Sequence, residues 1–233
     1  MASKRPDDQT ILRGFTDAIT GNAPAASKPL QIYEKLLRYR FEEVIDNAFE
    51  RLKPFYDTPT WRGMIRELIA EGGESPYIWH LPDTFRLRLN ERETRPYVHE
   101  LFWFEWMDIA LAKAPRTVSK EAALNPARPH RLSPTAAIRI LAYPVHRREH
   151  DETLERLPPG EHPLLLFRHP HDHQVLVTEI TPFMHAVLEG LDGERTLDEA
   201  ILRVARAYGE EEAEVREVIL PALEEMFALE ILI

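Results

Sequence analysis

Gln174-Val175-Leu176-Val177-Thr178-Glu179-Ile180 is the stretch on which the fold turns. In an extended chain Val175, Val177 and Glu179 point one way, and Leu176, Thr178 and Ile180 the other. The run is short, β-branched and alternating, which predicts a strand. Thr181 then has the chemistry of a helix N-cap, and Pro182 that of a first helical position. Working back, Pro163–Arg168 reads as a short apolar strand and His169–His173 as the turn of a hairpin. Ala136–Val145 is apolar and extended, and the charged His146–Gly160 reads as a loop. Working forward, three helices follow. Pro182–Leu191 is stopped by Asp192-Gly193. Thr196–Tyr208 opens on a capping box made by Thr196 and Glu199 and ends at Gly209. Glu210–Leu229 turns Val215, Val218, Ile219, Leu223, Met226 and Phe227 inward, and Pro221 predicts a kink. Ile231-Leu232-Ile233 is either a terminal strand or a hydrophobic plug.

The first half has a helical period throughout. Ile11, Leu12, Phe15, Ala18 and Ile19 are helically spaced within Asp8–Ile19, and Asn22–Ser27 is a small-residue linker. A long helix is predicted from Pro29 to Phe55, with Leu36, Leu37, Phe41, Ile45, Phe49 and Leu52 in its stripe and Pro54 closing it. Thr58–Trp61 reads as a cap and first turn of a helix that ends at Gly72-Gly73. Ser75–Trp79 and Thr84–Asn90 are shorter helical pieces. Tyr97–Lys113 is apolar over much of its circumference, as in a helix buried in a helical core. Ala114–Pro134 is polar and carries four prolines, so it reads as a connection. The expected organisation is α+β and mostly α: an all-α domain over 1–117, a linker over 118–134, and a winged-helix-like domain of β-strands and three helices over 135–233.

The 233 residues are 44% hydrophobic and 29% charged, as in a globular protein. No run approaches the roughly 18 apolar residues of a membrane span, and Met1–Asp8 has no apolar signal core, so the expected location is cytoplasmic. There is no cysteine, which removes disulfides, thiolate metal sites and cysteine nucleophiles. The formal charge is −10 and uneven: residues 1–117 hold 17 basic against 18 acidic groups, residues 118–233 hold 12 against 21. Phosphate neutralisation supplies most nucleic-acid affinity, so an acidic second half argues against a nucleic-acid partner there.

Two resemblances bear on function. The segment Val175–Ile180, then Leu188-Glu189-Gly190-Leu191-Asp192-Gly193-Glu194-Arg195-Thr196-Leu197-Asp198-Glu199-Ala200, Tyr208-Gly209 and the closing Ala228–Ile233, resembles the small PQQ-biosynthesis peptide chaperone and related leader-peptide recognition elements. Winged-helix DNA-binding domains share that topology, so fold alone does not decide function. The first half is similar to the HvfC/BufC family. The residues are Leu30-Gln31-Ile32-Tyr33, Ser75-Pro76-Tyr77, Leu81-Pro82-Asp83-Thr84-Phe85 and Phe104-Glu105-Trp106. Members of that family, labelled putative DNA-binding, are partners of multinuclear non-heme iron oxidative enzymes that modify ribosomal precursor peptides.

The resemblance implies a non-catalytic partner subunit, not an enzyme, that binds a precursor peptide and presents it to the iron enzyme. The chain itself would carry no cofactor, the iron belonging to the enzyme. A leader would add as a strand beside Gln174, Val175, Val177 and Glu179, with Arg216, Ile219 and Leu220 of the last helix as the opposite wall. Trp103 is the candidate contact with the enzyme. The histidines His169, His171 and His173 could share a face and hold a metal, but Pro170 and Asp172 make a polar turn the better reading. Glu100, Glu105 and Asp108 lack the Glu-x-x-His spacing of a di-iron helix. His146-Arg147-Arg148-Glu149-His150 fits the inverted zinc-protease string, but in a loop-like stretch. Alternatives are a winged-helix DNA-binding regulator and a small metal-dependent enzyme.

Overall fold

The computed structural model describes residues 28–70, 78–119 and 121–233. The expected helix over Asp8–Ile19, the linker Asn22–Ser27, Gly72-Gly73 and the start of Ser75–Trp79 lie outside them. The protein is α+β and mostly helical. It divides into two compact units, Met1–Trp106 and Met107–Ile233.

In the first unit, α1 (Lys28–Ala48), α2 (Thr58–Ala70), α3 (Leu81–Arg92) and the first turns of α4 (Pro96–Lys113) surround an aromatic core. Phe49, Trp61, Phe85 and Phe102 are fully buried, with ring centroids 4.8–6.3 Å apart in tilted and edge-on pairs. Such pairs add about 0.5–1.5 kcal/mol each beyond their buried area. The long helix expected to reach Phe55 ends at Ala48, and a separate 3-10 turn covers Lys53–Phe55. The backbone amides of Arg51 and Leu52 bond to the carboxylate of Glu105 at 2.8 and 2.9 Å, so this turn is held from α4 and not by continuing helix. Leu36, expected in the buried stripe, is exposed. The cap of α2 is Asp57, one residue before the expected Thr58: it accepts from the Thr60 amide at 2.8 Å and from the Thr60 hydroxyl at 2.9 Å. Pro82 sits in the first turn of α3, where its missing N–H is harmless.

The second unit holds two small antiparallel sheets and three helices. Strands β2 (Ala136–Leu141), β3 (His162–Arg168) and β4 (Val175–Glu179) form a meander in that order, with β3 central. The stretch 114–134 contains β1 (Pro129–Arg131), which pairs with β5 (Asp192–Thr196). Asp192-Gly193 therefore does more than stop a helix. Gly193 takes the left-handed φ of 85° that the turn requires, and Asp192 Oδ1 accepts the amides of Glu194 and Arg195. The last three residues form the buried plug, tied by a single bridge and not by a strand. Leu232 bridges Leu132, the Ile233 amide bonds to Arg131, and Ile231 and Leu232 are buried.

Three helices follow, α5 (Pro182–Glu189), α6 (Leu197–Tyr208) and α7 (Glu212–Ala228), and side-chain caps start the first two. Thr181 accepts the Met184 amide at 3.0 Å. The capping box is complete: Thr196 Oγ1 accepts the Glu199 amide at 3.2 Å and Glu199 Oε2 accepts the Thr196 amide at 2.9 Å. Gly209 closes α6 in the left-handed conformation, φ 74°. Leu197, Ile201 and Val204 of α6 pack with Met184, Val187, Leu188, Ile219 and Leu223 into one core, each such side chain contributing about 1.5–3 kcal/mol of burial. Val218, expected on the inner face of α7, is 76% exposed. Pro221 lies inside α7, which runs through it.

Candidate functional site

Among the described residues strand β4 is the outer strand of its sheet and pairs with β3 alone. Its register, Leu164 opposite Glu179 to Arg168 opposite Val175, fixes which main-chain groups are spent. The His169 amide bonds to the Gln174 carbonyl at 2.8 Å, and the Ile180 amide bonds to the Pro163 carbonyl at 3.0 Å. In an antiparallel pair the bonding positions alternate, so Gln174, Leu176, Thr178 and Ile180 face β3. The amides and carbonyls of Val175, Val177 and Glu179 face outward. Among the described residues no backbone partner meets those of Val175 and Val177, while the Glu179 carbonyl lies 3.4 Å from the Thr178 hydroxyl.

The side chains of this strand are open too, with Val177 40% and Leu176 38% exposed on opposite faces. The strand is nonetheless firmly held. β3 is buried along Pro163–Phe167, and the hairpin turn is closed by the His173 amide on the His169 carbonyl and by the Gln174 amide on Asp172 Oδ1. Gln174 thus has its amide and carbonyl occupied within the turn and offers neither to a partner.

Glu179 is neutralised internally. Its Oε1 receives His146 Nε2 at 2.5 Å and Arg147 Nε and Nη2 at 2.9 and 2.6 Å. His146 first, then Arg147, holds the carboxyl below its ordinary range. The carboxylate anchors the segment after Pro144 to the end of β4. That segment contains the string His146–His150, of which Arg148–His150 forms a single 3-10 turn. In place of the helix that a zinc-protease string requires, His146 is spent on Glu179.

The last helix contributes differently from the sequence reading. Ile219 is buried in the helical core, Leu220 packs against that core, and the Arg216 guanidinium is held by Asp198 of α6. The residues that pack on the sheet face of Leu165, Phe167 and Ile180 are Met226, Leu229 and Ile231. Periodicity turns Met226 inward and the terminal plug includes Ile231, but Leu229 and the joint packing on the sheet carry no signal, because the chain turns back after α7. His146 and Arg147 stand out in the sequence only as part of the zinc-protease string, and nothing there pairs them with Glu179.

The remaining candidates are dispersed. His169 and His171 stack edge-on at 5.6 Å, and His173 turns away with φ 61°. Pro170, buried, breaks the alternation that would align the three rings. His169 Nδ1 lies 3.2 Å from Asp172 Oδ1, off the hydrogen-bonding direction. Among the described residues no group of three or more His, Asp or Glu side chains could hold a metal ion. Glu105 is a backbone cap, as above, and Asp83 accepts Trp106 Nε1 at 2.8 Å. Trp103 is partly buried on α4.

Residues 133–227 match the family model of the HvfC C-terminal domain. Over that stretch the chain is similar to the HvfC C-terminal domain. The match spans β2 through nearly all of α7, so the outer edge of β4 lies inside it. A search of curated proteins finds no match. The likeness of this stretch to the PQQ-biosynthesis peptide chaperone rests on the sequence motifs alone. No described helix is long and apolar enough to cross a membrane.

Proposed function

We propose that the protein is a non-catalytic partner subunit that binds a ribosomally synthesised precursor peptide along β4 and presents it to a multinuclear non-heme iron oxidative enzyme for modification. The observation that carries this reading is the outward row of main-chain groups at Val175 and Val177, on a strand held rigid from behind. An extended leader added there would gain backbone hydrogen bonds, and its alternate side chains would meet Val177 on one face and Leu176 on the other. The order of elements, a three-stranded meander and then three helices, supports the same reading. So does the similarity to the HvfC C-terminal domain over the stretch in which the edge lies.

In this reading the chain supplies backbone and surface, and the iron and the chemistry belong to the enzyme. The acidic excess over 118–233 favours a leader with basic residues. Trp103 is the proposed enzyme contact. The test is fluorescence anisotropy of the labelled precursor with the wild-type chain and with Val177→Pro. A folded variant that binds as tightly as wild type refutes strand addition at this edge.

A further inference from the structure

Helices α1 and α2 of the first unit enclose a cleft of about 450 Å³. Arg38, Tyr39 and Glu42 line it from α1, and Thr58, Arg62 and Arg66 from α2. That volume falls within the range of small-ligand sites, about 300–1,000 Å³. Its chemistry is unusual for this protein. Three arginines line one space in a chain whose net charge is −10.

Among the described residues none of these three arginines makes an ion pair. Arg66 Nε donates to the Arg62 carbonyl at 3.2 Å. The guanidinium groups of Arg38 and Arg62 make no ion pair or hydrogen bond among the described residues. Elsewhere in this unit Arg40 is paired with Glu43, Arg92 with Glu67 and Arg95 with Glu93. Glu42 is the one acid in the lining, and it reaches none of the three within ion-pair distance. Like charges gathered without a counterion repel, and an oxyanion bridging them removes that repulsion while gaining charge-assisted, fork-shaped hydrogen bonds. Lys35, with Nζ 5.7 Å from the centroid of the exposed Tyr39 ring, adds a fourth cation beside the opening.

We propose that this cleft binds a small polyanion bearing phosphate or carboxylate groups, held by Arg38, Arg62 and Arg66. A nucleic acid fits less well: three guanidinium groups in a concavity match one compact ligand, whereas duplex binding draws on many phosphate contacts over a basic face. The inference stands independently of peptide binding at β4.

The test is isothermal titration of the full chain with sodium pyrophosphate and, separately, with citrate, at low ionic strength and at about 0.15 M salt. Saturable one-to-one binding of either anion is expected, weakened by the added salt. Preference for pyrophosphate identifies a phosphorylated ligand, and preference for citrate a polycarboxylate. Arg62→Gln should weaken binding about tenfold and Arg38→Gln/Arg62→Gln about a hundredfold, with unchanged far-ultraviolet circular dichroism. Arg62→Lys, which keeps the charge but loses the fork, should fall between wild type and Arg62→Gln. Arg40→Gln, outside the cleft, should match wild type. The proposal is overturned if neither anion saturates, if the double variant binds like wild type, or if Arg40→Gln loses as much as Arg62→Gln. It is also overturned if octaglutamate binds and the small anions do not.

Discussion

Replacing single residues of β4 by proline separates what the strand gives to its own sheet from what it offers outward. At Val177 the amide faces away from β3, so Val177→Pro removes no ladder bond, which is the placement proline tolerates on an edge strand. Only the shift of φ toward −65° is charged to folding, about 1 kcal/mol. At Leu176 the amide faces the Phe167 carbonyl, and Phe167 is 7% exposed. Leu176→Pro therefore strands a buried acceptor and adds the same strain, about 3 kcal/mol together. That corresponds to a fall of roughly 10 °C in the midpoint of the second unit, against a few degrees for Val177→Pro. Peptide affinity should follow the opposite order per unit of stability lost. An added strand would exchange two bonds with Val177, and proline removes the one its amide donates, worth about 0.5–1.5 kcal/mol, or about 2- to 12-fold in Kd. The assay is thermal unfolding by circular dichroism beside precursor anisotropy on the same samples. If Val177→Pro destabilises as much as Leu176→Pro, the alternation assigned to β4 is wrong. If Val177→Pro melts normally and binds normally, the edge is not the docking strand.

Three further outcomes follow from the same contacts. Glu105→Ala leaves the buried amides of Arg51 and Leu52 without acceptors and should cost about 2–4 kcal/mol, with Glu105→Gln retaining part of it; amide exchange at Arg51 and Leu52 reports this locally. Burial pushes the Glu93 carboxyl up, but the Arg95 guanidinium and the Tyr56 hydroxyl together bring it down to about 2, from 4.5. A depressed acid stabilises above its unfolded value, so this contribution, about 1–2 kcal/mol after screening, is intact above pH 4.5 and is lost as pH falls toward 2. Acid titration of wild type against Glu93→Gln, followed by circular dichroism, should show the difference vanish over that window. Thr196→Val removes the cap of α6 and should lower stability by about 1 kcal/mol, read from the urea midpoint.

Local chemistry made much of the second unit readable. The alternation of Val175–Ile180, the Thr181-Pro182 entry and the Thr196–Glu199 capping box each depend on neighbours a few residues away, and each appears as the residues dictate. What escaped depends on distant partners. The pairing of β1 with β5 joins residues some sixty apart, and three-residue strands have no period to read. Leu36 and Val218 fit an apolar stripe, yet a stripe says only which residues could be buried, and both face solvent. At the candidate site, alternation made the strand and its two side-chain faces legible, but the outward backbone of Val175 and Val177 follows from the register with β3 and the outer position of β4. The wall was legible only in pieces: Met226 falls in the stripe of α7 and Ile231 in the terminal plug, while Leu229 and their meeting on the sheet depend on the turn that follows the helix. Arg216 and Ile219 sit one turn apart on that helix, but one is claimed by Asp198 and the other by the core.

A surface that presents main-chain groups has an evolutionary consequence. Any residue other than proline supplies the same amide and carbonyl at positions 175 and 177, so side chains there are free to drift while the docking geometry persists. Variation would then concentrate in the flanking contacts that choose among peptides. On the proposed reading, a paralogue could change its client without altering the strand, and residue-by-residue conservation would pass over the edge that holds it.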